Sequence, residues 1–233
     1  MPSRTPKKTE NEIRDMFSNI APRYERLNHL MTGWQDIRWR RFVVQQTKLP
    51  DRGQFLDVGT GTGDLMRDMK QRHPESQPFG LDFTLEMMRW GRSHHKHRHA
   101  AWTAGNALHL PFPSNTFDAV ISGFLLRNVT DLERCLREGY RVLKPGGRFV
   151  ALDTTQPPQN ALTPLIRFHL HTVIPFLGKL FAGRKDAYTY LPRSTEGFVR
   201  AERLLAYLAA IGFAKVEFKR FMFGTIAVHW GIK

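Results

Sequence analysis

Very little in this sequence could fix it covalently or thread it through a bilayer. Among 233 residues there is one cysteine, Cys135, so no internal disulfide can form and a reducing compartment is the natural setting. Cys135 falls at an apolar position of a predicted helix, where core packing is its expected role. No uncharged apolar run approaches the ~20 residues of a bilayer span, and Met1 to Lys8 hold no apolar leader segment. The chain is therefore expected to be cytoplasmic, or peripheral to a membrane. Acidic residues are scarce: 21 Asp and Glu face 35 Lys and Arg, a net charge of +14, which draws the chain toward something anionic, nucleic acid or lipid. The basic residues are dispersed, with knots at Arg38, Arg40 and Arg41, between Arg89 and Arg98, and at Arg184-Lys185. No nucleic-acid module accompanies them, so no nucleic-acid partner is expected. The histidine-rich tract from His94 to His99 lacks a carboxylate or cysteine at ligand spacing, and no metal is expected.

What the chain does have is Phe55-Leu56-Asp57-Val58-Gly59-Thr60-Gly61-Thr62-Gly63-Asp64, an apolar strand ending in an acid and three alternating glycines ahead of a helical pattern. Such glycines let the backbone turn sharply out of a strand and approach a ligand closely, since no Cβ stands in the way. A flexible strand-to-helix loop is the bland alternative. A dinucleotide fingerprint sets its last two glycines three apart and rests a pyrophosphate on the helix N-terminus, whereas these fall at 59, 61 and 63. That spacing favours a nucleoside cofactor without phosphate. Turn and acid, with Asp82 closing Phe79-Gly80-Leu81-Asp82 at a second strand end, resemble motif I and its partner acid in the class I S-adenosylmethionine-dependent methyltransferases. The resemblance implies that Asp57, Gly59, Thr60, Gly61 and Gly63 shape the cradle of S-adenosyl-L-methionine and that Asp82 holds its ribose hydroxyls.

Upstream, Ile13, Met16, Phe17, Ile20, Tyr24, Leu27 and Leu30 recur at helical spacing, with Pro22 expected to split the helix, and a third helix runs through Trp34, Ile37 and Phe42. A bare Rossmann sheet has no place for this preface, which reads as extra core or as a cover over the open strand ends. Tyr24 and Asn28 either pack there or face substrate. Downstream, Asp64 to Arg72 reads as a helix stopped by His73-Pro74, and Thr84 as the cap of the next, with Met87 and Met88 inside and Gly91 near its end. Ala101 to Ala104 is a third strand running into Gly105-Asn106-Ala107, a pattern that also suits a tight turn. Phe117 to Gly123 is the fourth strand. Its end, Phe124 to Val129, should border the ligand, because open α/β sheets bind at the carboxyl ends of their strands.

Thr130 and Glu133 read as a capping box for a helix with Leu132, Cys135, Leu136, Tyr140 and Leu143 inward, ended by Lys144-Pro145-Gly146-Gly147. Arg148 to Asp153 is the fifth strand, and Ala214 to Lys219 and Thr225 to Trp230 the last two, after a helix that Ser194 or Thr195 caps and Gly212 ends. The expected architecture is α/β: a seven-stranded, mostly parallel Rossmann-like sheet with helices on both faces, in one domain over residues 1–233. Within it, 1–50 form the helical cover, 51–153 the cofactor-binding core, 154–193 an inserted lid, and 194–233 the final helix and strands.

Several blocks narrow the resemblance. Asn19-Ile20-Ala21-Pro22-Arg23-Tyr24, Leu27-Asn28, Thr60-Gly61-Thr62-Gly63-Asp64-Leu65, Leu110-Pro111-Phe112-Pro113, Leu126-Arg127-Asn128-Val129-Thr130-Asp131, Tyr140 to Arg148 and Tyr190-Leu191-Pro192 resemble the UbiE/MenG-type C-methyltransferases of ubiquinone and menaquinone biosynthesis. The resemblance implies methyl transfer to a ring carbon of a prenylated hydroquinone, demethylmenaquinol foremost, with naphthoquinone and benzoquinone rings both open. It places Thr62, Asp82, Asn106 and Ala107 around the cofactor, Asn106 at the adenine. Gly123 stands where the family has Ser or Ala against the cofactor, and Leu125 replaces a usual Gly. Asp153-Thr154-Thr155-Gln156-Pro157 replaces a Glu-Phe-Ser-Lys-Pro run, and Phe223-Gly224 a Gly-Gly pair.

Ring methylation requires a phenol, which titrates near ~10, to lose its proton. Arg127, with Asn128 as a hydrogen-bond donor, is the expected stabiliser of the phenolate; the alternative for Arg127 is an ion pair with Asp131. The guanidinium is no base, so the proton leaves through water or an imidazole, His29, His169 or His171. The apolar, basic stretch from Pro164 to Phe181 reads as a lid that dips into an anionic membrane surface, or else as a homodimer contact or a buried helix. Two other readings compete: an RNA methyltransferase, against which no RNA-binding appendage appears, and a non-catalytic cofactor-binding scaffold of a quinone-pathway complex.

Overall fold

The structure, a computed structural model, describes residues 10–94, 100–157, 194–195 and 197–233. The expected lid, His169, His171 and the tract 95–99 lie outside them.

Seven strands form one sheet in the order β3-β2-β1-β4-β5-β7-β6. They are β1 Gln54–Val58, β2 Gln77–Asp82, β3 Ala101–Ala104, β4 Phe117–Gly123, β5 Leu143–Thr154, β6 Ala214–Phe221 and β7 Ile226–Ile232. Neighbours run parallel except β7, which is antiparallel to both β5 and β6. Strand order jumps outward in both directions from β1 and β4, and this switch point is where an open α/β sheet leaves a crevice at its carboxyl edge.

Two apolar layers hold helices to the two faces. On one, α3 (Gln35–Thr47) and α4 (Asp64–Arg72) bring Trp39, Val43, Met66 and Met69 against Ile121, Val150 and Val228. On the other, α6 (Leu132–Val142) and α7 (Ala201–Ile211) bring Leu136, Leu204 and Leu208 against Val120, Phe149 and Phe213. Cys135 lies in this second layer, and burial pushes its thiol up to about 12.

Pro22 splits the cover as expected: α1 (Glu10–Ile20) passes through a short 3-10 turn, Ala21–Arg23, into α2 (Tyr24–Thr32). An alternating chain of charges ties α2, α3 and α4 together. His29 Nδ1 meets Asp36 Oδ2 at 2.8 Å, Arg40 reaches both Asp36 and Asp68, and Arg67 Nη1 reaches Glu25 at 3.0 Å and Asp64 at 3.2 Å. Burial pushes the Asp36 carboxyl up, but His29, Arg40 and Thr32 outweigh it and hold it below the ordinary carboxylate range.

Three boundaries differ from expectation. Asp131, not Thr130, caps α6, accepting the Arg134 N–H at 3.0 Å, while Glu133 turns outward to pair with Arg137. The Lys144 to Gly147 segment is taken into β5 instead of forming a separate stop. Ser194 and Thr195 are themselves helical, and α7 starts separately, after Arg200. Gly212 does end α7, at φ +117°, its N–H donating to Ala209 and Leu208 carbonyls.

Candidate active site

Between β1 and α4 the chain makes three left-handed residues in five, at Gly59 (φ +72°), Gly61 (+54°) and Gly63 (+83°). Any other residue would be strained at these angles, and at Gly63 an added Cβ would also sit 2.6 Å from the Trp102 ring. The threonines between them serve the turn itself: Thr60 donates to Asp57 Oδ2 at 2.8 Å, and Thr62 to Asp64 Oδ2 at 3.0 Å. The turn docks on β2 through Gly59 and Thr60 N–H bonds to the Leu81 carbonyl. A further glycine, Gly91 of α5 (Leu85–His94), presses on it from behind, since a Cβ there would lie 2.2 Å from the Thr62 carbonyl oxygen. A lone glycine in an apolar helical run was the available signal for this contact.

Asp82, at the end of β2, takes the Gly61 N–H on Oδ2 and the Thr84 N–H on Oδ1, both at 2.8 Å. Burial nonetheless raises its pKa. Burial likewise lifts the Asp57 carboxyl to about 7; Asp82 and Asp64 add to the lift, and the Thr60 hydroxyl and Met66 amide oppose it. Within a chain of net charge +14 this corner is locally acidic. It suits a ligand that carries positive charge and hydroxyl donors.

Beside the turn opens a cleft between β1, β2, the β4 end and the cover. Gly59, Gly61, Asp82 and Gly123 line one part; Ile13, Phe17, Tyr24, Phe83, Phe124 and Leu125 make an apolar and aromatic wall, with Asn128 at its edge. Phe17 and Tyr24 meet edge to face at 5.9 Å. Ile13 and Phe17 belong to the cover and had been read only as helix packing. Burial raises the Tyr24 phenol, against the lowering effects of a hydrogen bond with Asn28 and of the Arg127 charge. Asn128 Nδ2 donates to the Phe124 carbonyl at 3.1 Å.

Some expected residues stand elsewhere. Asn106 is exposed and closes its own turn, Oδ1 accepting the Leu108 N–H at 2.9 Å, and Ala107 packs in the core; neither lines the cleft. His29 is engaged by Asp36 within the charge chain. The alternative pairing of Arg127 with Asp131 is replaced by one with Asp153, at 2.6 Å. Asp153, at the carboxyl end of β5, opens the run that departs from the family's Glu-Phe-Ser-Lys-Pro; its pairing with Arg127 is what the sequence did not announce.

The strand order, the glycine turn and the paired acids together define a class I S-adenosylmethionine-dependent methyltransferase, and the cradle fits that cofactor. Its φ-positive glycines bring backbone close to the cleft, and Asp82, whose carboxylate takes the Gly61 and Thr84 amides, lines that cleft as an acceptor for ribose hydroxyls. The chain belongs to the ubiE/COQ5 methyltransferase family, whose pattern matches residues 5–233. It is 45% identical over 221 residues to a ubiquinone/menaquinone biosynthesis C-methyltransferase of Desulfotalea psychrophila, covering 95% of this chain and 90% of that one. A demethylmenaquinone methyltransferase of Thermus thermophilus is 44% identical over 220 residues, covering 93% and 99%. Among solved structures, the [4+2]-cyclase SpnF superposes with a TM-score of 0.72 at 18% identity, over 98% of this chain and 97% of that one, a likeness of fold.

Proposed function

We propose that this enzyme methylates a ring carbon of a prenylated naphthohydroquinone, the reaction by which demethylmenaquinol becomes menaquinol. The observation that carries the reading is the two-part cleft: an acidic, glycine-lined cradle opens directly onto an apolar, aromatic wall of the kind that packs against a flat ring. The two relatives act, by name, in ubiquinone/menaquinone biosynthesis and on demethylmenaquinone, and the naphthol is the acceptor both names share. The cofactor supplies a sulfonium methyl when bound.

The chain's own residues do the rest. Deprotonation of the hydroxyl ortho to the reacting carbon makes that carbon nucleophilic. A ring carbon–methyl bond forms as the sulfur–methyl bond breaks, and the ring then loses its proton from the same carbon to restore aromaticity. Arg127 and Asn128, on the loop after β4, are the stabilisers of the phenolate in this reading; Asn128 lines the cleft beside Phe124 and Leu125, and Arg127, not itself a lining residue, lies over the Phe124 ring, which supports the assignment. Tyr24, half-buried in the wall with its hydroxyl held by Asn28, orients the ring. Asn106 and Ala107 would meet the adenine only if the β3 loop closes on the bound nucleoside. The cofactor-binding core, the cover and the C-terminal strands act as one domain in this reading.

Arg127→Ala tests the assignment. Its charge is aimed at the acceptor and not the donor, so S-adenosylmethionine affinity should stay within about threefold while kcat falls ~100-fold or more. Arg127→Lys should recover part of the loss, since the charge remains and the planar fork does not. An unchanged kcat in Arg127→Ala would remove the phenolate stabiliser from the scheme.

A further inference from the structure

Arg127 does not enter the site as a free cation. Its Nη1 donates to Asp153 Oδ1 at 2.6 Å, with the two side chains only 5% and 3% exposed. Asp153 also accepts the Arg127 main-chain N–H on Oδ2 at 3.2 Å and the Thr154 N–H on Oδ1 at 2.7 Å. One carboxylate at the end of β5 thus grips both the backbone and the side chain of a residue on the β4 loop. On its other side the guanidinium lies over the Phe124 ring, 5.1 Å from Cζ to centroid. Phe124 and Asn128, on either side of Arg127 in the chain, both line the cleft. The Arg127 Nε–H is buried and has no partner among the described residues. An unmet charged donor is costly, and an anionic acceptor is the kind of group that satisfies a guanidinium.

We propose that Asp153 is a positioning residue for the methyl transfer: it locks the Arg127 fork so that the remaining N–H donors face the acceptor oxygen, and its negative charge moderates the field that oxygen meets. The proposal rests on Arg127 acting at the acceptor. Among the described residues, Tyr24 from α2 is a titratable group whose phenol feels the Arg127 charge, and the same phenol also feels Asp64 and Asp82 from the cofactor side. Asp153 is the sole counter-charge in ion-pair contact with Arg127 among the described residues. A strut that merely held the β4 and β5 ends together would not influence how the acceptor ionises, and this separates the two roles.

The experiment is kcat against pH, with demethylmenaquinol as acceptor, for the full-length enzyme, Asp153→Asn, Asp153→Glu and Arg127→Ala, alongside calorimetric S-adenosylmethionine binding. In Asp153→Asn the amide oxygen can still receive the guanidinium but the counter-charge is gone. The acceptor then meets a full cation, and the rising limb of the profile should move about one unit to lower pH, within the range an added charge commands. The plateau kcat should drop about tenfold as the fork loosens. Asp153→Glu keeps the charge on a longer arm, so its profile should stay in place while kcat falls. A profile for Asp153→Asn that overlays the wild type, with Arg127→Ala still slow, would overturn the positioning role and leave Arg127 in place. Wild-type turnover in Arg127→Ala would instead sink the reading beneath it. If Asp153→Asn does not fold, as shown by lost cofactor binding, Asp153→Glu decides: it restores the family's carboxylate and keeps the counter-charge, so a pH profile displaced from the wild type there contradicts the proposal.

Discussion

Asp57 and Asp82 are acids that burial drives toward neutrality beside the glycine turn proposed to hold a positively charged cofactor. Their positions make the donor site sensitive to charge in two measurable ways. Asp82→Ala removes the carboxylate that the ribose hydroxyls would meet and also the acceptor of the Gly61 and Thr84 amides; S-adenosylmethionine affinity should fall at least tenfold, and calorimetry showing wild-type affinity in a folded variant would refute the assignment. Asp57, with its carboxyl at about 7, is partly protonated at neutral pH. A cationic ligand favours the ionised form, so binding at pH 6.5 should release a fraction of a proton. Calorimetry in buffers of differing ionisation enthalpy should show this, and Asp57→Asn should abolish it; a buffer-independent enthalpy in the wild type would contradict the coupling. At this scale the sequence was most readable where one residue's chemistry suffices, as at Asp82 and the positive-φ glycines. It was least readable at Asp153. The pairing with Arg127 arises because sheet register sets Leu152 beside Gly123, bringing together residues 26 apart in the chain, and nothing local in either stretch announces it.

Elements were legible where a stop or a break has a single chemical cause. Pro22 lacks an N–H and interrupts the cover, Gly212 takes the left-handed angle that ends α7, and α4 spans Asp64–Arg72 as its pattern implied. Where two capping oxygens adjoin, as at Thr130-Asp131, tertiary geometry chooses, and Asp131 wins. Likewise Ser194 and Thr195 are helical but lie ahead of α7, which Arg200 leads into. Strand β7 carries a prediction of its own. His229 is buried, Nε2 bonded to the Ala201 carbonyl at 3.0 Å, and burial lowers its pKa to about 4. Above pH 6.5 both folded and unfolded chains hold it neutral. As pH falls from about 6.5 toward 4 the unfolded chain takes up a proton that the native strand refuses, so stability should drop by about 3 kcal/mol through this residue. Asp57, raised in the fold, works in the opposite direction over part of that range, because the native state there holds the extra proton. The difference between wild type and His229→Gln isolates the histidine: urea unfolding at pH 7 and pH 4.5 should show a smaller pH loss in the variant. Equal losses would place the acid sensitivity elsewhere.

The whole molecule joins a basic exterior to a site for a lipid-tailed acceptor. Among the described residues no helix is long and apolar enough to cross a membrane. A net charge of +14 nonetheless provides the attraction by which a peripheral enzyme would meet such a substrate at an anionic surface. Co-sedimentation with vesicles containing anionic lipid should exceed that with neutral vesicles, and should weaken between 0.05 and 0.5 M salt, roughly the range over which the Debye length shrinks from above ~10 Å to a few ångström. Equal binding to both vesicles at low salt would remove the electrostatic part. Such attraction only delivers the enzyme; the chemistry is claimed for the cleft. The most direct measurement is mass analysis of the product when purified enzyme, S-adenosylmethionine labelled in its methyl group, and demethylmenaquinol are combined in mixed micelles under reducing conditions. The account predicts menaquinol carrying the label on its ring, one S-adenosylhomocysteine formed per methyl transferred, and loss of both products in Asp82→Ala. S-adenosylmethionine that binds with native affinity but yields no ring-methylated quinol, from naphthol or benzoquinol acceptor, would contradict it.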